Sequence, residues 1–166
     1  MAQADPDIDA FRELAASHNH SLLKCIQCGT CTGSCPSGRR TQLRIRQVIE
    51  KAIMGSEDIL ESDDLWLCTT CYTCFDRCPR DVKPTSIIKG LRNIAIRKGF
   101  MKESHQKVAG LFCQTGHLVP INDRVKELRK ALDLTELPPT VHSHPESLKE
   151  VKKIIESTNF RELAGC

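Results

Sequence analysis

Apolar residues along the chain recur mostly with helical spacing. Within TQLRIRQVIEKAIMG, residues 41–55, they fall on one face of an α-helix. That face comprises Leu43, Ile45, Val48, Ile49 and Ile53. Gly55 follows, and glycine often ends a helix because it adopts the left-handed conformation without strain. The segment 36–67 is therefore predicted to be helical, with a stop at Gly55.

A second helix is predicted from Pro84 to about residue 98. Proline suits the first turn of a helix, and Gly99 supplies another stop. The apolar face of this helix comprises Ile87, Ile88, Leu91, Ile94 and Ile96. Other helices are predicted at residues 7–17, 103–115 and 122–132. The predicted fold class is therefore all-α.

The C-terminal part of the chain has a different character. LPPTVHSHPE, residues 137–146, contains prolines that interrupt a helix, and PESLKEVKKIIES then begins another. The apolar residues of this last helix are Leu148, Val151, Ile154 and Ile155. We predict a domain over 1–136, followed by 137–166 as a linker and a docking helix at 145–157. Packing of that helix on its own domain is the alternative.

Two cysteine runs interrupt the helical pattern, and they have the same form. CIQCGTCTGSCP begins at Cys25 and CTTCYTCFDRCP at Cys68, so each cysteine recurs after 43 residues. The repeat continues into the helices, where Ile45, Val48, Ala52 and Ile53 correspond to Ile88, Leu91, Ala95 and Ile96. The chain is predicted to contain two loop–helix repeats that pack face to face.

The spacing C-x2-C-x2-C-x3-C-P is typical of [4Fe–4S] ligation, in which the fourth cysteine binds the cluster of the other run. Two clusters are expected. The first ligand set is Cys25, Cys28, Cys31 and Cys78. The second is Cys68, Cys71, Cys74 and Cys35. Zinc is the alternative, although zinc sites normally use two cysteine pairs.

Basic residues flank the fourth cysteine of each run and are expected to support the clusters electrostatically. They are Arg39, Arg40, Arg77, Arg80 and Lys83. The chain of 166 residues carries a net charge of only +3 and few aromatic residues, which disfavours nucleic-acid binding. It shows neither a signal peptide nor a membrane-spanning run, so a cytoplasmic location with reduced cysteines is expected.

Other candidate residues receive simpler interpretations. Cys113 lies in an apolar run and is interpreted as a buried small hydrophobe, while Cys166 is expected to have no role. His142 and His144 form an HxH pair without a third ligand, which favours a capping or loop role. No nucleotide-binding or hydrolytic motif is present, so no catalytic residue is expected on this chain.

From residue 18 to 132 the chain resembles the family of heterodisulfide reductase C subunits. The resemblance rests on both cysteine runs, the helical spacer and RDVKPTSIIKGLRNIAIRKG after the second run. It implies an α-helical ferredoxin that relays electrons from the flavin-bearing A subunit to the catalytic B subunit, which reduces the coenzyme M–coenzyme B heterodisulfide in methanogenesis. It further implies a hydrogenase or formate dehydrogenase as electron donor through the flavin-bearing chain.

Three other functions remain open. The same helical module resembles parts of other iron–sulfur oxidoreductases, so this chain could serve a complex with another substrate. A free-standing two-cluster ferredoxin is the second alternative, although such a protein is expected to be compact and acidic. A structural metal protein of another class would show no reversible redox wave.

Overall fold

The computed structural model describes residues 21–166, and the predicted helix at 7–17 lies outside them. The chain divides into two compact units, the first ending at Phe100 and the second spanning Met101–Cys166. Regular structure in the described residues is entirely helical, which confirms the all-α prediction. No helix among these residues combines the length and apolar character needed to cross a membrane.

In the residues that the structure describes, the first unit contains two long helices, three one-turn helices and two 3-10 turns. Its α-helices are α1 (Thr30–Gly33), α2 (Ile45–Met54), α3 (Asp58–Glu61), α4 (Thr73–Asp76) and α5 (Pro84–Arg97). The 3-10 turns, Leu22–Lys24 and Asp63–Leu67, come directly before the two cysteine runs. Each repeat therefore consists of a 3-10 turn, a cysteine loop with a one-turn helix, and a long helix.

The core of the first unit lies between the two repeats. Helix α2 contacts α5, and the one-turn helices α1 and α4 contact each other. Six of the eight residues on the predicted shared face are buried: Ile45, Val48, Ala52, Ile88, Leu91 and Ala95. Ile53 is 39% exposed and Ile96 is only partly buried, because both lie at the edge of this face. The repeats thus pack face to face as predicted.

Only part of the segment 36–67 is helical, whereas the prediction had the segment helical with a stop at Gly55. Helix α2 begins only at Ile45 and ends where Gly55 adopts a left-handed φ of 67°. The acidic stretch beyond it folds back as α3 and a 3-10 turn, which bury Ile59, Leu60 and Leu65. Burying these three side chains against α5 requires a change of direction that a continuous helix would not allow.

The second unit contains four helices, α6 (Glu103–Thr115), α7 (Asp123–Ala131), α8 (Pro145–Ser157) and α9 (Phe160–Ala164). The first three agree with the predicted segments, and α9 was not predicted. Helix α8 packs on α6 and α9 and buries Ile155, whereas Ile154 is 60% exposed. The boundary predicted after residue 136 falls within this unit and stays a prediction.

A disulfide closes the second unit. Cys113, on α6, is bonded to Cys166 across 53 residues of sequence. Cys113 is buried as predicted, but the prediction that Cys166 has no role was wrong. The helix α9 brings the chain end to α6, where Phe160 and Phe112 stack edge to face with centroids 6.1 Å apart. The expectation of reduced cysteines therefore holds for eight of the ten.

The packing between the repeats can be tested with Leu91→Ala. Leu91 is fully buried between them, so the change should lower the free energy of unfolding by about 3 kcal/mol through lost burial and a cavity. Denaturant titration of the anaerobically purified protein, followed by circular dichroism, measures the shift. The matched control is Leu23→Ala, at a position that is 75% exposed, where the change should stay below about 1 kcal/mol. Equal losses would contradict this core.

The disulfide predicts which cysteines an alkylating reagent labels. After anaerobic alkylation of the unfolded chain without reductant, Cys113 and Cys166 should stay unlabelled and should be found in one cross-linked peptide. The other eight cysteines, which are free, should carry the label. Prior reduction should add two labels per chain. Full labelling of both residues before reduction would show that the bond is absent in solution.

Candidate metal centres

The two cysteine loops share an unusual backbone conformation. Gln27 and Thr70, which are equivalent in the repeat, have φ values of 55° and 54°. The next equivalent pair, Gly29 and Tyr72, has values of 81° and 62°. Left-handed φ angles are unfavourable for residues with a side chain, so the loops hold this shape against a local cost. The duplication therefore preserves loop geometry even where residue types differ.

Three cysteines of the first run lie together with one of the second. Cys25, Cys28 and Cys31 line a single cavity, and the fourth cysteine in its wall is Cys78. Apolar residues such as Ile49 and Val82 complete the lining. Four sulfur atoms around an apolar-walled cavity form a donor set suited to an iron–sulfur cluster.

The converse set surrounds Cys74. Burial raises the pKa of the Cys74 thiol, and the charges of Cys68, Cys71 and Cys35 raise it further. These charge interactions connect Cys74 with all three thiols, and Cys35 is again contributed by the other run. Burial is the main cause that raises the pKa of Cys31, and the charge of Cys74 raises it further. The two sets of cysteines therefore adjoin.

Two hydrogen bonds between the repeats bring each fourth cysteine to the opposite loop. Ser37, two residues after Cys35, donates through its hydroxyl to the carbonyl of Leu67 at 2.7 Å. In the other direction, the backbone amide of Lys83 donates to the hydroxyl of Ser21 at 3.4 Å. Each bond joins the segment after one run to the segment before the other, which accounts for the crossed grouping.

Backbone amides also point at the fourth sulfur atoms. The amide of Gly38 donates to Sγ of Cys35 at 3.2 Å, and the amide of Val82 donates to Sγ of Cys78 at 3.3 Å. Both fourth cysteines therefore have the same kind of hydrogen-bonded surroundings.

Threonine hydroxyls contact the sulfur atoms at equivalent places in the two loops. The hydroxyl of Thr30 lies 3.4 Å from Sγ of Cys28, and that of Thr73 lies 3.5 Å from Sγ of Cys71. These hydroxyls hold the pKa of both exposed thiols below their ordinary value. The buried hydroxyl of Thr85 contacts Cys74 at 3.3 Å without an equivalent in the first repeat, where Gln42 occupies that position.

The charged residues predicted to support the sites are mostly solvated. Arg39, Arg40, Arg77 and Arg80 are exposed, and the fifth, Lys83, lies over the ring of Phe75. Sequence reasoning missed Arg92, which is half-buried on α5 beside the second loop. The signal was present in the repeat, because a charged residue at this position replaces the apolar Ile49 of the first repeat.

The histidine predictions concern a different part of the chain. His142 lies in the 3-10 turn Val141–Ser143, and His144 occupies the N-cap position of α8 without a side-chain cap. Within residues 21–166, no three His, Cys, Asp or Glu side chains form a site for a single metal ion.

The comparison with known domains agrees with the cysteine geometry. Residues 21–82 match the family described as 4Fe-4S dicluster domain, a range that includes both runs. Fold and site therefore define a class, the α-helical iron–sulfur proteins of the dicluster type.

Curated relatives define the family within this class. The C subunit of the H(2):CoB-CoM heterodisulfide,ferredoxin reductase of Methanothermobacter thermautotrophicus is 53% identical over 96% of this chain and 86% of its own. The C2 subunit of the H(2)/formate:CoB-CoM heterodisulfide,ferredoxin reductase of Methanococcus maripaludis is 50% identical over 87% and 79%. The C subunit of the ferredoxin:CoB-CoM heterodisulfide reductase of Methanosarcina mazei is 47% identical over 87% and 89%. The chain belongs to the family of heterodisulfide reductase C subunits.

Close packing around Cys35 makes Gly38 sensitive to substitution. A Cβ atom at Gly38 would lie 2.7 Å from the carbonyl oxygen of Leu43 and 3.4 Å from Cβ of Cys35. Gly38→Ala should therefore displace this loop and cost about 1–3 kcal/mol of stability, measured as a lower denaturant midpoint. Gly33→Ala is the matched control, because a Cβ there meets nothing within 4 Å. Equal midpoints for both variants would contradict the crowding at Cys35.

Proposed function

We propose that this chain is the electron-transfer subunit of a coenzyme B–coenzyme M heterodisulfide reductase and holds two [4Fe–4S] clusters. The observation that carries the proposal is the crossed cysteine grouping, with Cys78 in the wall of the first cavity and Cys35 beside the second loop. The ligands of the first cluster are Cys25, Cys28, Cys31 and Cys78. Those of the second are Cys68, Cys71, Cys74 and Cys35.

The chain's own residues bind and orient the two groups. When bound, a [4Fe–4S] group supplies reversible one-electron chemistry. In the proposal, three thiolates from each loop, which contains left-handed turns, bind one cluster, and the amides of Gly38 and Val82 orient the fourth thiolate. Apolar residues such as Ile49 and Val82 limit water at the first site. Contact between α1 and α4 supports two neighbouring centres, an arrangement that suits a two-step relay.

The catalytic site is assigned to another chain of the complex. On this chain eight cysteines serve as ligands in the proposal, and the other two, Cys113 and Cys166, are bonded to each other. The catalytic B subunit is therefore the proposed site of disulfide reduction, and the flavin-bearing A subunit is the proposed donor. The complex is placed in the cytoplasm, because free thiols and iron–sulfur ligation suit a reducing compartment.

The upstream donor differs among the relatives. Their names mention H(2), H(2) and formate together, or ferredoxin, although each shares about half of its residues with this chain. We assign the contact with a hydrogenase or formate dehydrogenase to the flavin-bearing A subunit rather than to this chain. A common relay fold that serves several donors fits this division.

Crossed ligation predicts that a first-run mutation damages the second cluster. The anaerobically purified protein should contain eight iron atoms and eight sulfides per chain and give two reduced EPR components. Cys35→Ala should remove or alter the component of the second run, and Cys28→Ala that of the first. Each of these two variants should also lower the iron content per chain, by at most about half.

Comparison of the two variants distinguishes crossed ligation from ligation within each run. Loss of the same EPR component in Cys35→Ala and Cys28→Ala would contradict the crossed assignment, although the chain would still bind two clusters. Zinc without acid-labile sulfide in the native protein would contradict the relay itself. Redox titration gives a second check, because a relay requires two reversible one-electron waves and a structural site shows none.

A further inference from the structure

Arg92 joins the second long helix to the start of the second cysteine run. Its Nη2 donates to the carbonyl oxygen of Cys68 at 2.6 Å, and its Nε donates to the carbonyl oxygen of Leu65 at 2.7 Å. The guanidinium carbon lies 5.5 Å from the ring centroid of Trp66. A planar, forked donor is suited to hold two carbonyls at once, which lysine cannot reproduce. The side chain therefore fixes the approach to Cys68.

The charge of Arg92 acts on the same loop. The guanidinium lies at hydrogen-bond distance from the carbonyl of Cys68, so its charge lies close to this cysteine. Arginine stays protonated in proteins. A half-buried charge is screened by salt much less than a solvated one. Arg92 thus places a lasting positive charge beside the second ligand set.

The first repeat lacks this arrangement. The residue equivalent to Arg92 is Ile49, which is buried, and the residue equivalent to Trp66 is Leu23, which is exposed. Arg46 lines the first cavity, but it also pairs with Glu50 at 3.4 Å, which offsets its charge. Arg80, also in that wall, is exposed to solvent. The two sites have similar loops in different electrostatic surroundings.

We propose that Arg92 is a positioning residue that raises the reduction potential of the second cluster relative to the first. Reduction adds a negative charge to the cluster, and a nearby cation favours the reduced form. A higher potential at the second centre favours electron transfer from the first centre to the second. This inference rests on the proposed function, because it takes Cys68 as a ligand of the second cluster.

The test measures both cluster potentials in Arg92→Gln by EPR-monitored redox titration of the intact anaerobic protein. The component that Cys35→Ala removes identifies the second cluster. Its reduction equilibrium constant should fall about tenfold in Arg92→Gln, or about 59 mV for one electron, while the other component stays unchanged. Lys89→Gln removes an exposed charge from the same helix and should shift neither component.

Arg92→Lys separates charge from hydrogen bonding. Lysine keeps the charge but loses the fork, so its second-cluster potential should lie closer to the native value than to that of Arg92→Gln. A shift below twofold in Arg92→Gln, or equal shifts of both components, would overturn the proposal. Loss of the second cluster in both Arg92 variants would assign the residue a structural role alone and also overturn it. If Cys35→Ala and Cys28→Ala remove the same component, the crossed ligation fails instead.

Discussion

The contact between the two repeats is the constraint on which the rest of the first unit depends. Neither cysteine run gathers four thiols by itself, because its fourth cysteine lies with the other three of its counterpart. The burial of helices α2 and α5 against each other supplies the apolar stabilisation for that contact. The bonds from Ser37 to Leu67 and from Lys83 to Ser21 set the register. Packing and site assembly are therefore one event in this unit.

The features that the sequence predicted are those fixed by local or repeated patterns. Gly55 and Pro84 bound helices that formed as predicted, since a stop or a first-turn signal acts within a few residues. Crossed ligation was also predicted from the spacing of the cysteines and stays a prediction. The fold-back after Gly55 was missed because burial of Ile59 and Leu65 depends on α5, which lies far along the chain.

The roles of Cys166 and Arg92 were missed for the same reason, because both depend on contacts between distant parts of the chain. Cys166 meets Cys113 only because α9 returns the chain end to α6, and periodicity contains no information on that return. Arg92 could have been suspected from its mismatch with Ile49, but its contacts with the carbonyls of Cys68 and Leu65 require the folded helix. The basic residues next to the cysteines in sequence were a poorer guide to the electrostatics of the sites, because most of their side chains are exposed to solvent.

The thiols of the two runs differ in their exposure to solvent. In each run the second cysteine, Cys28 or Cys71, is exposed. The two buried cysteines, Cys35 and Cys74, both belong to the second ligand set. The charges of Cys31 and Cys74 interact across the contact between the runs. Each proposed centre thus has one side toward solvent and one side toward its neighbour. In the proposed relay, electrons enter at the exposed side of one centre and leave at the exposed side of the other. The buried residues between the centres then serve to hold the two centres together.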